Sequence, residues 1–245
     1  MGKARARAPR SALTIAIDGP AGAGKSTVSR EVARRLGYAL VDTGAIYRCL
    51  ALVAQRRGTA LGDDPALAEL IAGMQVSFAF DGRNNHTYLG TEDVTDLIRT
   101  PSISSGAAQV STRPAVRSAL LGLQRRLAGG GGAVLEGRDV GTVVFPAAQV
   151  KIFLVATADE RARRRHRERR AAGSSQSLSE VLAEQDARDH LDRTRTHAPL
   201  LRAPDAVEID STGRALADVV ASILALVAAQ GGQALDRAPP DCPQP

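Results

Sequence analysis

The sequence predicts an α/β protein whose parallel sheet is covered by helices on both faces. Three observations point there. Five short, almost wholly apolar runs are separated by segments of helical spacing, the pattern of strands buried on both faces. A glycine-rich loop lies between the first of these runs and the first helical segment. One stretch, residues 76–89, instead alternates in the manner of an antiparallel hairpin.

In chain order, Leu13-Thr14-Ile15-Ala16-Ile17 reads as a buried strand ending at Asp18-Gly19. Thr27 to Leu36 has helical spacing (Val28, Val32, Ala33, Leu36) and Gly37 just past its end. Ala39-Leu40-Val41 is a short second strand, followed by a helix from Ala45 to Arg57 that Gly58 stops. Val76 to Phe80, the turn residues Asp81 to Asn85, and His86 to Leu89 form the hairpin pattern. Ala133-Val134-Leu135 follows a Gly129–Gly132 run as the third core strand. Val150 to Val155 is the fourth and Ala206 to Ile209 the fifth, and an amphipathic helix from Leu216 to Val227 closes the pattern. Residues 1–11, basic, and 230–245, rich in Gly and Pro, read as disordered tails.

Composition narrows the function. A chain of 245 residues with 44% hydrophobic content can bury one sizeable core with an inserted lobe. Aromatics are 3% of the chain, which leaves few surfaces for stacking single-stranded nucleic acid. The net charge of +6 is carried almost wholly by arginine; the lysines are Lys3, Lys25 and Lys151. Arginine grips phosphate oxygens in two places at once. Cys49 and Cys242 lie far apart and in no metal spacing, and the histidines form no ligand pattern. With no apolar run of membrane-spanning length and no secretory leader pattern, the expectation is a cytoplasmic protein with no membrane partner.

Gly19-Pro20-Ala21-Gly22-Ala23-Gly24-Lys25-Ser26 matches G-x-x-x-x-G-K-[ST] between a strand and a helix. Glycines let successive backbone N–H groups turn toward phosphate oxygens, and the new helix presents its positive end to the same anion. In such a loop Lys25 reaches the β and γ phosphates and Ser26 ligates Mg²⁺.

A phosphate loop defines a donor, not an acceptor. Asp42-Thr43-Gly44-Ala45-Ile46-Tyr47-Arg48 follows the second strand and Glu136-Gly137-Arg138-Asp139 the third, both at the edge where ligands gather in doubly wound sheets. Arg48 and Arg138 are therefore expected to face one cleft. Arg161, Arg163, Arg164, Arg165, Arg167, Arg169 and Arg170 follow the fourth strand. They read equally as a solvated arginine-rich helix, as a lid closing over ATP, or as an RNA-binding face that the sparse aromatics weaken. Arg188, Asp192 and Arg195 share a face if one helix holds them; an ion-paired surface helix is the alternative.

Taken together, Ile-Asp-Gly-Pro-Ala-Gly-Ala-Gly-Lys-Ser, Asp-Thr-Gly-Ala-Ile-Tyr-Arg, Gly-Arg-Asp-Val-Gly-Thr-Val-Val-Phe-Pro and Arg-Asp-x-x-Asp-Arg-x-Arg resemble bacterial cytidylate kinase, from about Leu13 to Ala228. The resemblance implies a P-loop nucleoside monophosphate kinase domain over residues 12–229: a five-stranded parallel sheet core flanked by helices, a small antiparallel monophosphate-binding insertion at about 60–105, and a short helical lid at about 158–174. It implies ATP and Mg²⁺, with residues 19–26 and Thr27 on ATP and Ser26 on the metal. Arg48, Arg138 and Arg195 would hold the CMP phosphate, and Arg188 and Asp192 the sugar. Arg117 and Asp139 would read cytosine, with Thr43 and Tyr47 lining the site. Lys25, Arg138 and Arg164 would stabilise the transferred group. Small-molecule substrates, no nucleic acid and a monomer complete the expectation.

Three positions depart from the family. Thr43 stands where serine is common, Ala108 where the family often has a serine touching the sugar, and Glu136 where aspartate is frequent. Two rivals stay open: a kinase for UMP or another small acceptor, and a nucleotide-dependent RNA-binding module built on the 161–170 arginines.

Overall fold

The protein is described here from a computed structural model covering residues 12–233 apart from 82, 83 and 172. In chain order the elements begin with β1 (Thr14–Asp18), α1 (Lys25–Leu36), β2 (Ala39–Asp42), α2 (Thr43–Arg57) and α3 (Asp64–Gly73). Next come β3 (Val76–Phe80), β4 (Asn85–Leu89), β5 (Glu92–Asp93), α4 (Pro101–Ser111) and α5 (Pro114–Ala128). The chain continues through β6 (Ala133–Gly137), a five-residue π-turn (Val140–Val144), β7 (Val150–Val155), α6 (Ala158–Ala171), α7 (Leu178–Thr194), β8 (Val207–Asp210) and α8 (Leu216–Ala229).

The core sheet has the order β2-β6-β1-β7-β8, and every pairing is parallel. The residues of β1 show why its run is almost wholly apolar. Ile15 and Ile17 point into a core shared with α1 and α8, through Val32 and Ile223. Ala16 points the other way, into a core with Ile46 and Leu50 of α2 and Leu120 of α5. Each strand residue thus meets a helix layer on one face or the other. A second sheet, β3-β4-β5, is antiparallel, with Val76 opposite Leu89 and Phe80 opposite Asn85. Its third strand, Glu92–Asp93, was not expected from the alternation and pairs with Tyr88 and Leu89.

The helices begin earlier than their apolar spacing suggests. Lys25 is already helical, because Gly24 caps α1 in the left-handed region at φ 90°. Asp42 caps α2 by accepting from the Ala45 amide, which draws Thr43 into the first turn. Of the C-terminal segment expected to be disordered, residues 230–233 are described and close on the core. The Gly232 amide donates to the Val227 carbonyl at 2.9 Å, and the Tyr38 hydroxyl donates to the Gln233 carbonyl at 3.2 Å. Residues 1–11 and 234–245, with Cys242, lie outside the described residues. Cys49 is buried and unbonded. Among the described residues no helix is long and apolar enough to cross a membrane.

Candidate active site

The strand order turns at β1, which lies between β6 and β7, and the glycine loop leaves from that point. Gly19 has φ 150°, and a Cβ there would lie 2.0 Å from the Leu154 carbonyl oxygen of β7. No other residue fits so near a neighbouring backbone. Gly19, Pro20 and Ala23 form the back of the loop, while Ala21, Gly22, Gly24, Lys25, Ser26 and Thr27 line a cleft of about 500 Å³. The Lys25 ammonium curls back to donate to the Pro20 carbonyl at 2.7 Å. Burial, and then the nearby Arg138 guanidinium, push its pKa down to about 7, against the pull of Glu136 and Asp18. Ser26 donates to Glu136 Oε2 at 2.8 Å. Burial, with Asp42 close by, raises the Glu136 carboxyl to about 7.

The opposite wall comes from four separate pieces of chain. From α2, Arg48 Nη2 donates to Asp42 Oδ2 at 2.6 Å, and buried Thr43 donates to the Glu136 carbonyl at 2.7 Å. From the end of β6, Gly137 is packed so that a Cβ would lie 2.6 Å from Thr43 Oγ1. Next to it, Arg138 Nε donates to Asp192 Oδ2 of α7 at 2.9 Å. From α5, Arg117 forms an ion pair with Asp139, and both side chains are about nine-tenths buried. The Arg117 guanidinium also lies over the Tyr47 ring, 5.6 Å from its centre. Arg195 completes the wall, with Nη2 3.9 Å from Asp139 Oδ1 and Nη1 3.8 Å from Asp192 Oδ1.

Arg195 corrects one detail of the sequence reading. Helix α7 ends at Thr194, so Arg195 is its cap in an extended conformation rather than a third residue on the helical face. Its guanidinium is turned into the cleft and held by a bond from Nε to the Ala198 carbonyl at 2.6 Å. Arg188 stands on α7 at the cleft mouth and makes no hydrogen bond to any described residue. Desolvation between the cleft walls, and then Arg138, hold it below the usual arginine range, with Asp192 opposing.

The arginine-rich segment is the helix α6, and it divides by depth. Arg161 is buried, paired with Asp189 of α7 at 2.6 Å and bonded to the Ala21 carbonyl at 3.0 Å. Arg164 faces the cleft beside Gly24, but its guanidinium is bonded to Ser211, to Glu160 and to the Ala23 carbonyl. Arg163, Arg167 and Arg170 are solvent-exposed, as the solvated-helix reading expects.

The structure thus brings the phosphate loop and Thr43, Tyr47, Arg48, Arg117, Arg138, Asp139, Arg164, Arg188, Asp192 and Arg195 to one cleft. Sequence reasoning missed Asp18, buried behind the loop, and Ser104 on the cleft wall, while Arg165, named only within the arginine-rich group, also lines the cleft. Asp18 had been read only as the strand's end; an acidic residue closing a wholly apolar run was the available signal.

Comparison with known proteins identifies the family. The family model described as Cytidylate kinase matches residues 15–229. A cytidylate kinase of Syntrophotalea carbinolica is 50% identical over 216 residues, 88% of this chain and 92% of that protein. One of Geobacter sulfurreducens is 50% identical over 213 residues, 87% of this chain and 91% of that protein. A solved structure of an uncharacterized protein from Eubacterium ventriosum, 12% identical, matches with a TM-score of 0.50 over 88% of this chain and 98% of that one, a likeness of fold alone. With a family model matching residues 15–229 and relatives 50% identical over 87–88% of its length, this chain belongs to the cytidylate kinase family of nucleoside monophosphate kinases.

Proposed function

We propose that this chain transfers the γ-phosphoryl group of ATP to CMP and dCMP, forming ADP with CDP or dCDP, with Mg²⁺ bound at Ser26. One observation carries the reading: the cleft opposite the phosphate loop holds more cationic donors than its own acceptors use. Among the described residues Arg188 has no hydrogen-bonded partner, and Arg48 Nε and Arg195 Nη2 are buried without one. Buried donors without partners cost stability, and mutual repulsion among Lys25, Arg138 and Arg188 adds to it. Phosphate groups from two nucleotides relieve both.

Arg48, Arg138 and Arg195 are assigned to the acceptor phosphate, Arg188 and Asp192 to the sugar hydroxyls. The Arg117–Asp139 pair is assigned to the base, with Thr43 and Tyr47 lining its site. Cytosine offers an N4 amino donor to Asp139 and its O2 and N3 acceptors to Arg117. Uracil would set O4 against the carboxylate, and a site built on such bonds rejects a base that leaves them unmade. Residues 19–26 and Thr27 are assigned to ATP.

No general base is required, because the acceptor phosphate oxygen is already the nucleophile. Catalysis is alignment and charge neutralisation. Lys25 would leave the Pro20 carbonyl for the β and γ phosphates. Arg164 is assigned to the transferred group once the lid closes, which requires it to release Ser211. Closure of lid and insertion would exclude water.

The oxygens at Ser26 suit a hard divalent cation, since its hydroxyl and the Glu136 carboxylate lie 2.8 Å apart at the foot of the cleft. Among the described residues no group of three or more His, Cys, Asp or Glu could hold a metal, which suits an ion bound largely by phosphate and water. When bound, Mg²⁺ neutralises charge on the β and γ phosphates. The chain is read as a cytoplasmic monomer acting on small molecules, without nucleic-acid or membrane partners.

A coupled assay of ADP formation with CMP, dCMP, UMP, AMP and GMP tests the proposal. CMP or dCMP should be turned over well ahead of the others. Faster turnover of UMP sinks the base assignment, and acceptor-independent behaviour with salt-sensitive RNA binding sinks the kinase reading.

A further inference from the structure

We infer that Asp18 is a positioning residue that locks the turn carrying Arg138 and Asp139 to the root of the phosphate loop, so that the two substrate sites hold a fixed separation. The inference rests on the proposed function. Asp18 is the last residue of β1 and directly precedes Gly19. Its backbone pairs with Gly137 of β6, and its carboxylate reaches the turn that follows. The Val140 amide donates to Oδ1 at 2.8 Å and the Gly141 amide to Oδ2 at 2.7 Å.

These amides open the π-turn. Further along, Val143 and Val144 donate to the Asp139 carbonyl, and Phe145 to the Val140 carbonyl. Asp18 supplies the acceptors for the first two from 122 and 123 residues away. Val140 is fully buried and Asp18 is 5% exposed, so no water replaces the carboxylate at such amides without cost. The turn is held elsewhere as well. Lys151 donates to the Pro146 carbonyl and pairs with Asp205, and Arg125 donates to the Val143 and Val144 carbonyls. Of these, only Asp18 is joined by the main chain to the phosphate loop. The contact is close at Gly141, where a Cβ would lie 3.2 Å from Lys151 Cδ and 3.4 Å from Asp18 Oδ2.

The carboxylate is retained at a cost. Burial, with Asp139 close by, raises its pKa to about 6 despite the two amide bonds. An apolar residue would end the strand as well and avoid that cost; it would not seize two amides of the acceptor turn.

The test uses Asp18→Asn, which keeps the shape but sets an amide NH₂ against a backbone N–H. A second variant, Lys151→Met, loosens the far end of the same turn. ADP affinity by calorimetry, KM and kcat for CMP at saturating ATP, and thermal midpoints are measured in one series with the parent protein. In Asp18→Asn the KM for CMP should rise about tenfold or more and kcat should fall, with ADP affinity within about twofold of the parent. Lys151→Met should shift KM for CMP the same way by less. Unchanged CMP kinetics in a folded Asp18→Asn, or equal losses of ADP and CMP affinity, would overturn the inference. If Asp18→Asn does not fold, Lys151→Met decides on the same criteria. A parent protein that does not turn over CMP defeats the proposed function instead, and that result is visible in the same series.

Discussion

The two walls of the cleft are built on opposite plans. The donor wall is one continuous stretch from Gly19 to Thr27, shaped by backbone: two glycines in it have positive φ near 80–90° (Gly22 at 76°, Gly24 at 90°) and Gly19 is pressed against β7. The acceptor wall is assembled from side chains on α2, α5, the end of β6 and α7, separated by up to some 150 residues of chain. Its parts are held by charge: Arg48 to Asp42, Arg138 to Asp192, Arg117 to Asp139. A backbone cradle is tolerant of side-chain changes but not of added Cβ atoms. A charge-built wall is tolerant of neither partner's loss, because the survivor is left buried and unpaired.

The sharpest way to break this comparison is to remove one cation from each wall. On the donor side, Lys25→Met should lower kcat by on the order of 10²–10³, the loss seen when a group contacting transition-state charge is removed, while CMP still binds. On the acceptor side, Arg138→Ala should lower kcat/KM for CMP by about 10², with ATP binding near normal and Asp192 left without its partner. Steady-state kinetics with each substrate varied in turn read both. If each variant damages binding of both nucleotides alike, the walls are not separable. Near-normal activity of Arg138→Ala would remove it from the phosphate site.

What was legible in the sequence follows the same division. The phosphate loop could be read because its function is local: each glycine, Lys25 and Ser26 act through their own stretch of backbone. The inner core strands could be read because burial on both faces writes a nearly apolar run, whereas the edge strand β8 is mostly exposed and carries Glu208 and Asp210. Arg48 and Arg138 could be placed at the cleft because each closely follows a core strand, but Arg117 came only through the family resemblance, since Arg117 and Asp139 are 22 residues apart in sequence and meet only after β6 pairs with β1. Two supporting carboxylates were harder still. Asp42 looks like a helix cap, which it also is, and Asp18 looks like a strand end. The short β5 strand was hidden because two exposed acidic residues carry no alternation, and its pairing depends on the register of β4.

A second way to sharpen the comparison is pH, since groups at both walls are held away from their ordinary protonation. Asp18 is raised to about 6 and Glu136 to about 7, so the folded protein binds more protons than the unfolded chain between about pH 4 and 7. Stability from these groups is present at the acid end of that window and is lost as pH rises through it. For Asp18, a rise of about 2 units corresponds to about 3 kcal/mol. Lys25 is lowered to about 7, so above pH 7 the folded protein binds fewer protons than the unfolded chain and stability recovers as pH rises. The exposed ion-paired acids such as Glu31, lowered to about 2, act below this window. Scanning calorimetry of the ligand-free protein should therefore find a minimum in unfolding temperature near neutral pH. A monotonic rise from pH 5 to 9 would show that the buried acids are not held as described.

The smallest expected effect concerns the sugar, at the α4 side of the cleft. Ala108 lies on α4 at the cleft wall and offers no hydrogen bond to a hydroxyl. Ser111, one turn on, also lines the cleft, but its hydroxyl already donates to the Ala108 carbonyl at 2.8 Å. Ser104, one turn back, also lines the cleft. Restoring the hydroxyl with Ala108→Ser should add about one hydrogen bond to a ribose 2′-hydroxyl, and so raise the ratio of kcat/KM for CMP over dCMP by about 2- to 10-fold. The absolute rate with dCMP should stay near its starting value, because deoxyribose has nothing for the new group to meet. Two further changes separate the sources of any preference already present. If Ser104→Ala lowers the ratio, α4 reads the sugar one turn earlier than in the family pattern. If only Asp192→Asn lowers it, the sugar is read from α7 alone, and Ala108 marks a position where α4 has given up that contact without a substitute.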